Sequence, residues 1–149
     1  MKFIAGVHNA IAQCPSSLAL VSSRVYQSFA PLTATMPYLI VGALSDEAVS
    51  PALDGNVDTL RKANIPIMCV SSTVSSSATI ADTLRVELYN ARGTLATGTT
   101  VLNIHVLDTN YQWDPGEDGT ENGAHICIIN LNFFYRATTP APVTFVPGP

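Results

Sequence analysis

Charged residues are scarce in this sequence. Lys and Arg together number 7 and Asp and Glu 11, so only 12% of the 149 residues are charged, against about 25% in ordinary soluble domains. The formal net charge of −4 argues against tight nucleic-acid binding, because that needs clustered positive charge. Either the surface is rich in Ser, Thr and Asn, or other chains cover much of it. We favour the second explanation, because 47% of the residues are hydrophobic.

Long apolar runs are also missing. None approaches the roughly 20 residues that a bilayer core demands, so we expect no transmembrane helix and no membrane partner. The N-terminal stretch is not typical of a signal peptide, because His8 and Asn9 interrupt its apolar residues. Gln13 stands where a lipoprotein cleavage site needs a small residue before Cys14. The chain length fits one domain.

Cysteines are few, odd in number and widely spaced. Cys14, Cys69 and Cys127 form no CxxC pair, which excludes a zinc site of the usual spacing. Cys69 and Cys127 lie in apolar, strand-like runs, so we predict buried free thiols, as suits a reducing compartment. The sequence has no GxSxG, Walker or GxGxxG motif. We therefore predict no enzyme, no catalytic or metal-binding residues and no cofactor.

The first half of the chain alternates helical and strand patterns. Apolar periodicity predicts a helix over residues 3–13 that ends at Pro15, a second short helix over Leu18–Phe29 and a strand over Met36–Leu44. Residues 45–58 are acidic and contain Pro and Gly, which predicts a loop or long hairpin connection. A strand over Thr59–Ser72 follows, in which Pro66 marks an edge, a bulge or a break because proline cannot donate to a ladder.

A serine-rich segment leads into the clearest helix, predicted over Ala78–Arg92. Ser75, Ser76 or Ser77 is the expected cap, and Gly93 is the expected terminating glycine. Ile80, Leu84, Leu88 and Ala91 form an apolar stripe, while Asp82, Arg85 and Arg92 point away from it.

A long antiparallel hairpin is predicted at the C-terminal end of the fold. Its strands are Val101–Trp113 and Ala124–Arg136, and the polar segment Asp114–Gly123 joins them. In the first strand, Leu102, Ile104 and Val106 share one face; in the second, the shared face carries His125, Cys127, Ile129, Leu131, Phe133 and Tyr135. We predict an α+β fold over residues 1–137, an antiparallel sheet with helices mainly on one face. We expect residues 138–149 to form an extended, proline-rich arm.

Two side-chain groups invite a chemical interpretation. His105 and His125 lie on the two strands of the predicted hairpin, where they could meet across the ladder as a metal or acid–base pair. We favour polar positions on half-exposed strand faces instead. The hairpin tip carries four carboxylates that could bind Ca²⁺, although not with EF-hand spacing, could dock on a basic neighbour, or could simply be solvated. They are Asp114, Glu117, Asp118 and Glu121.

The order of these features resembles the bacteriophage tail-terminator or tail-completion proteins of the head–tail neck. The resemblance rests on an N-terminal helix, the Pro37-Tyr38 strand, the serine-rich turn into the Ala78–Arg92 helix and the long hairpin, whose second strand ends in Asn132-Phe133-Phe134-Tyr135-Arg136. It implies a homo-hexameric ring in the virion, assembled in the host cytoplasm. Such a ring caps the tail tube, binds the head-side connector or stopper protein and lets DNA through its lumen without specific binding. It carries no catalytic residues.

Two other functions remain open at this point. One is another tail or connector subunit. The other is a small α+β enzyme or ligand-binding domain whose site would contain His105, His125 and the acidic loop. The C-terminal arm supports a role in assembly. Phe145, which lies between Pro142 and Pro147, is predicted to dock into a groove on a neighbouring subunit or ring. The alternative is a frayed terminus. Together with the four carboxylates of the tip, Phe145 completes the set of candidate partner contacts.

Overall fold

The computed structural model describes residues 10–11, 14–31, 33–42, 45–48, 59–89, 91–94, 100–114 and 123–137. The predicted helix over 3–13, most of the hairpin tip and the arm therefore lie wholly or largely outside the described residues. Two helices and seven strands are bounded within them. In chain order they are α1 (Pro15–Val21), β1 (Val25–Gln27), β2 (Tyr38–Val41), β3 (Ser45–Ala48), β4 (Thr59–Ser71), α2 (Val74–Leu88), β5 (Gly93–Thr94), β6 (Thr100–Asp114) and β7 (Ala124–Ala137).

The strands form one sheet in the order β1-β2-β4-β7-β6-β5, and β3 pairs with β4 beside β2. Every pairing is antiparallel except that of β1 with β2. Strands β6 and β7 form the predicted long hairpin, from Thr100 opposite Arg136 to Asp114 opposite Ala124. The α+β class is confirmed. No helix of the described part of the chain is long and apolar enough to span a membrane.

The core lies on the face of the sheet that carries α2. Alternate residues of β4 and β7 point into it, as the strand patterns predict. Ile80, Leu84 and Leu88 of α2 pack against them and are at most 2% exposed, which confirms the predicted apolar stripe. The buried strand residues include Ala63, Ile65, Ile67, Cys69, Cys127, Ile129, Leu131, Phe133 and Tyr135.

Helix α1 differs from its prediction. It covers Pro15–Val21 rather than Leu18–Phe29, and Ser22 ends it in the left-handed conformation with φ 51°. Pro15 begins this helix, because a proline in the first helical turn lacks only an N–H that has no partner there anyway. The chain then enters strand β1, where the sequence pattern had predicted helix.

The bounds of α2 also differ from their prediction. The helix starts at Val74, and Thr73 caps it: its hydroxyl accepts a hydrogen bond from the Ser76 N–H at 3.1 Å. The helix ends at Leu88, so Gly93 is not its terminating glycine. Gly93 lies in β5 with φ +141°, a conformation that side chains rarely adopt. Ala91 has left the helix but still packs on the core.

Residues 45–48, predicted as part of a loop or long hairpin connection, form strand β3 and pair with the first part of β4. Residues 49–58 lie outside the described residues. On the same side of β4, β2 ends where Val41 faces Ile67, and β3 begins where Ser45 faces Asn64. Pro66 faces the gap between them. Of the three alternatives for this proline, the break in the ladder is therefore the one observed.

Strand β6 contains two irregularities that its sequence pattern does not reveal. Its register with β7 shifts between Val101 and Asn103 and again between Val106 and Asp108. A bulge adds one unpaired residue and reverses the inside–outside alternation beyond it. Val101 and Ile104 are therefore both buried, whereas Leu102 is 39% exposed. The prediction that Leu102 shares the face of Ile104 is wrong for this reason.

Candidate functional site

The two histidines of the hairpin lie far apart. His105 pairs with Asn132 and His125 with Trp113, so the register separates them by roughly 23 Å along β7. The alternative that they meet across the ladder is therefore excluded. His105 is exposed, bonded through Nε2 to the Asn103 amide at 2.8 Å, and His125 is half-buried. Both therefore occupy polar positions on strand faces, the interpretation we favoured.

The acidic tip is described only at its base. Asp114 is the last residue of β6 and is exposed. Glu117, Asp118, Glu121 and Phe145 lie outside the described residues, so their roles stay predictions. Among the residues that the structure describes, no group of three or more His, Cys, Asp or Glu side chains is placed to hold a metal ion.

The three cysteines are buried free thiols, as predicted. Cys69 and Cys127 are direct cross-strand neighbours in β4 and β7. Burial raises the pKa of the Cys69 thiol, and the neighbouring Cys127 adds to that rise. Burial, assisted by the charge of Glu87, raises the pKa of Cys14 to about 11. All three thiols are thus protonated at neutral pH and poor nucleophiles.

Glu87 holds α1 against α2. Its carboxylate accepts hydrogen bonds from the Ser17 N–H at 2.7 Å, the Ser17 hydroxyl at 2.5 Å and the Ser16 N–H at 3.3 Å. Cys14, at the cap position of α1, makes no side-chain capping hydrogen bond, and its thiol donates instead to the Ala10 carbonyl at 3.5 Å. A carboxylate from another helix therefore satisfies the first amides of α1 and complements its dipole. No local sequence signal predicts this contact, because the partners are about 70 residues apart in the chain.

The outer edge of β6 is the most distinctive surface of the described structure. Strand β5 pairs only with Thr100 and Val101, and no strand among the described residues pairs with that edge from 102 to 114. Natural edge strands are usually short or protected by Lys, Pro or bulges. This edge has two bulges but neither Lys nor Pro, and Asp108 and Asp114 are its only acidic residues. A long, nearly uncharged edge is suited to pairing with another strand.

The hydrogen-bond pattern shows which backbone groups face outward. The Pro66 carbonyl accepts from the Gly42 N–H and so points toward β2. Because backbone direction alternates along and across antiparallel strands, the partner of Pro66, Asn130, points toward β6. Asp108, opposite Asn130, then faces β7. Beyond the second bulge, the residues whose N–H and C=O groups face outward are Thr109, Tyr111 and Trp113.

The side chains beside this edge are unusually apolar for a surface. Leu107, Tyr111 and Trp113 of β6 are 51%, 50% and 48% exposed, and Val86 and Tyr89 at the end of α2 are 73% and 65% exposed. Between strand and helix lies an open groove of about 510 Å³. Its walls are Arg85, Val86 and Tyr89 on one side and Val106, Leu107, Asp108 and Thr109 on the other.

Three aromatic rings, those of Tyr111, Trp113 and His125, pack together at the far end of the same edge. The Tyr111 hydroxyl and His125 Nδ1 form a hydrogen bond of 2.5 Å, and their rings stack with centroids 5.9 Å apart. The indole of Trp113 also stacks on the His125 ring, with centroids 6.4 Å apart. The half-exposed aromatic side chains are therefore held in fixed orientations, which lowers the entropy lost when a partner packs on them.

No protein-family model and no curated protein sequence matches this chain. The fold is similar to that of one chain in a solved structure described as the virion of a native gene transfer agent (GTA) particle. That similarity has a TM-score of 0.63 and covers 89% of this chain and 97% of the other, at 15% sequence identity. The two chains share a fold over nearly their whole lengths.

Proposed function

We propose that this protein is a structural component of a phage-like virion. More specifically, we propose a ring at the head–tail neck that caps the tail tube and joins it to the head-side connector or stopper protein. The observation that carries the proposal is the fold shared with a chain of a gene transfer agent virion, because the shared region is almost the entire length of both. The order of elements that resembles tail-terminator proteins supports the specific position.

Composition and surface support an assembly role. Only 12% of the residues are charged, and interface cores are depleted in Lys, Glu and Asp. Among the described residues, no strand pairs with the β6 backbone next to exposed Leu107, Tyr111 and Trp113. Such an edge accepts a strand from another chain, and a protein that stayed monomeric would leave this aggregation-prone surface in water.

Contacts of this kind are compatible with a ring. An edge strand that binds a different surface of the next copy makes a heterologous contact, which either closes into a ring or continues as a filament. We propose closure at six copies. The formal charge of −4 per chain is multiplied around the ring. A negative lumen repels DNA and lets it pass without specific binding. The ring would assemble in the host cytoplasm and remain in the virion.

Two alternatives have different observations behind them. Another tail or connector subunit shares the long hairpin and the low charge, and only the position in the particle separates it from a terminator. A small enzyme or ligand-binding domain would need His105, His125 and the acidic tip to converge. The roughly 23 Å between the two histidines along β7 weakens that alternative.

Depletion of this protein during particle assembly tests the proposal. We expect tails of irregular length, or tails that stay unattached to filled heads, in electron micrographs. Complementation with the wild-type gene is the control and should restore joined particles. If depleted cultures still gave tails of normal length joined to full heads, the neck position would be wrong. Immunogold labelling along the whole tail, rather than at its head-proximal end, would favour a tube subunit.

A further inference from the structure

We propose that the C-terminal arm of a second copy of this chain adds as a strand to the outer edge of β6. Residues 141–146 run antiparallel to Thr109–Trp113, and Phe145 enters the groove between β6 and α2. This inference rests on the proposed ring and names the contact that joins one subunit to the next.

The edge beyond the second bulge offers three residues with outward backbone groups. Thr109, Tyr111 and Trp113 alternate with residues that face β7, and their side chains share the face that carries α2, since they pair with Ile129, Cys127 and His125. In an antiparallel ladder, two directly opposed residues have their side chains on the same face. A partner strand that hydrogen-bonds to these three residues therefore places the side chains of its own three bonding residues on the face that carries α2.

The arm supplies three matching residues. Pro140 and Pro142 are two positions apart, so in a strand their missing N–H groups face the same side. If that side faces away from β6, the N–H groups of Ala141, Val143 and Phe145 all face β6. Pro147 then ends the pairing, because it would need an N–H on the bonding side. The prolines on the outer side also prevent a further strand from adding to the new edge.

The apolar side chains fix the register. With Ala141 opposite Trp113 and Val143 opposite Tyr111, Phe145 lies opposite Thr109. Thr109 is part of the groove wall, across from Val86 and Tyr89 on α2. Phe145, the largest apolar residue of the arm, thus lies at the groove, and the small Ala141 lies beside the indole of Trp113. The arm from 138 to 149 has no charged residue, which suits this nearly uncharged edge.

Only a second copy can make this contact. β7 pairs at its end with the start of β6, where Arg136 faces Thr100. Antiparallel addition needs the arm to enter at Trp113, about 40 Å away along β6. Residues 137–141 span at most about 14 Å. The arm of the same chain could pair with the outer edge of β6 only by running parallel to β6. Parallel pairing would place the Phe145 side chain on the face of the sheet opposite α2.

A pair of proline variants tests the contact in the full-length protein. Val143→Pro removes an N–H that faces β6, whereas Thr144→Pro removes one that faces away. We expect Val143→Pro to lower the affinity between subunits by about tenfold or more, since it removes a backbone hydrogen bond and disturbs its neighbours. Thr144→Pro should assemble like the wild type. Equal behaviour of the two variants, whether both assemble or both fail, would overturn the proposed pairing.

Cysteine cross-linking tests the register and the copy. Asn110 and Thr144 would be opposed at a non-hydrogen-bonded position, where the Cα separation of about 4.5 Å suits a disulfide. On air oxidation, the Asn110→Cys, Thr144→Cys variant should give a ladder of covalent oligomers on a non-reducing gel. The His105→Cys, Thr144→Cys variant, displaced by roughly 17 Å along β6, should not. Equal cross-linking of both variants, or only an intramolecular product, would refute the register.

These results separate the contact from the ring. The mass of the wild-type assembly tests the ring itself, and the contrast between Val143→Pro and Thr144→Pro tests the arm. A wild-type ring that both variants also form means that another surface joins the subunits, so the arm contact is wrong while the ring stands. A monomeric wild type overturns the ring, and with it the contact between copies.

Discussion

Gly42 and Pro66 touch across the point where β2 gives way to β3. The Gly42 N–H donates to the Pro66 carbonyl at 2.7 Å, and a Cβ on Gly42 would lie 2.7 Å from Pro66 Cγ and 3.0 Å from that carbonyl oxygen. This contact shows how a proline fits inside a central strand: Gly42, opposite Pro66, lies just beyond the end of β2, so the N–H that proline lacks falls where the ladder of β2 with β4 ends.

Gly42→Ala should destabilise the protein by about 1–3 kcal/mol, because the added methyl group overlaps the proline ring and the backbone must shift. Urea unfolding followed by circular dichroism measures the change. In a Pro66→Ala background the same substitution should cost less, since the ring carbon nearest to it is gone. Additive effects of the two substitutions would show that the close contact does not limit position 42.

Leu84→Ala should lower the free energy of unfolding by about 2–5 kcal/mol, because Leu84 is fully buried between α2 and the sheet and its truncation leaves a cavity. Val86→Ala, on the exposed side of the same helix, is the matched control and should change stability by about 0.5 kcal/mol or less. If the two variants unfolded at the same urea concentration, the packing of α2 would be misassigned.

Glu87→Gln should cost about 1 kcal/mol, because a neutral amide replaces the charge that faces the first amides of α1. Asp82→Asn is a suitable control: it removes a carboxylate from the same helix whose only described ion pair, with Arg85, is exposed. Hydrogen exchange should quicken at Ser16 and Ser17 in Glu87→Gln alone. Unchanged exchange there would contradict the capping role.

The thiols should be inert in the folded protein at pH 8. The pKa of Cys14 is raised from 9.0 to about 11, so its thiolate falls from about a tenth to about a thousandth of the population. A thiol-specific reagent should label the three cysteines only after denaturation. The sign for stability follows from the raised pKa: burial of the neutral thiol stabilises the fold fully below pH 9, and this contribution is lost as the pH rises through about 11. Rapid labelling of native protein would contradict the burial.

The elements that the sequence predicts well are those whose pattern is local and long. The stripe of Ile80, Leu84 and Leu88 and the two hairpin strands repeat their period often enough to identify helix and strand. The mistakes arise where a single residue has two meanings. Gly93, for example, can terminate a helix or adopt its positive φ in a strand.

The surface features were harder to predict for a different reason. Leu102 and Leu107 sit at bulges that depend on how β6 meets β7, and nothing in their own segment signals a bulge. The contact of Glu87 with α1 joins residues far apart in the chain. Likewise, the open edge of β6 is a property of strand order, so only the assembled sheet shows that Thr109, Tyr111 and Trp113 present their backbone outward.

The mass of the purified full-length protein in solution tests the central claim most directly. Native mass spectrometry over a range of concentrations should show a closed assembly of six copies of the 15.8 kDa chain, with no larger species as the concentration rises. A series of ever larger oligomers would indicate an open filament, and a monomer at every concentration would contradict the ring.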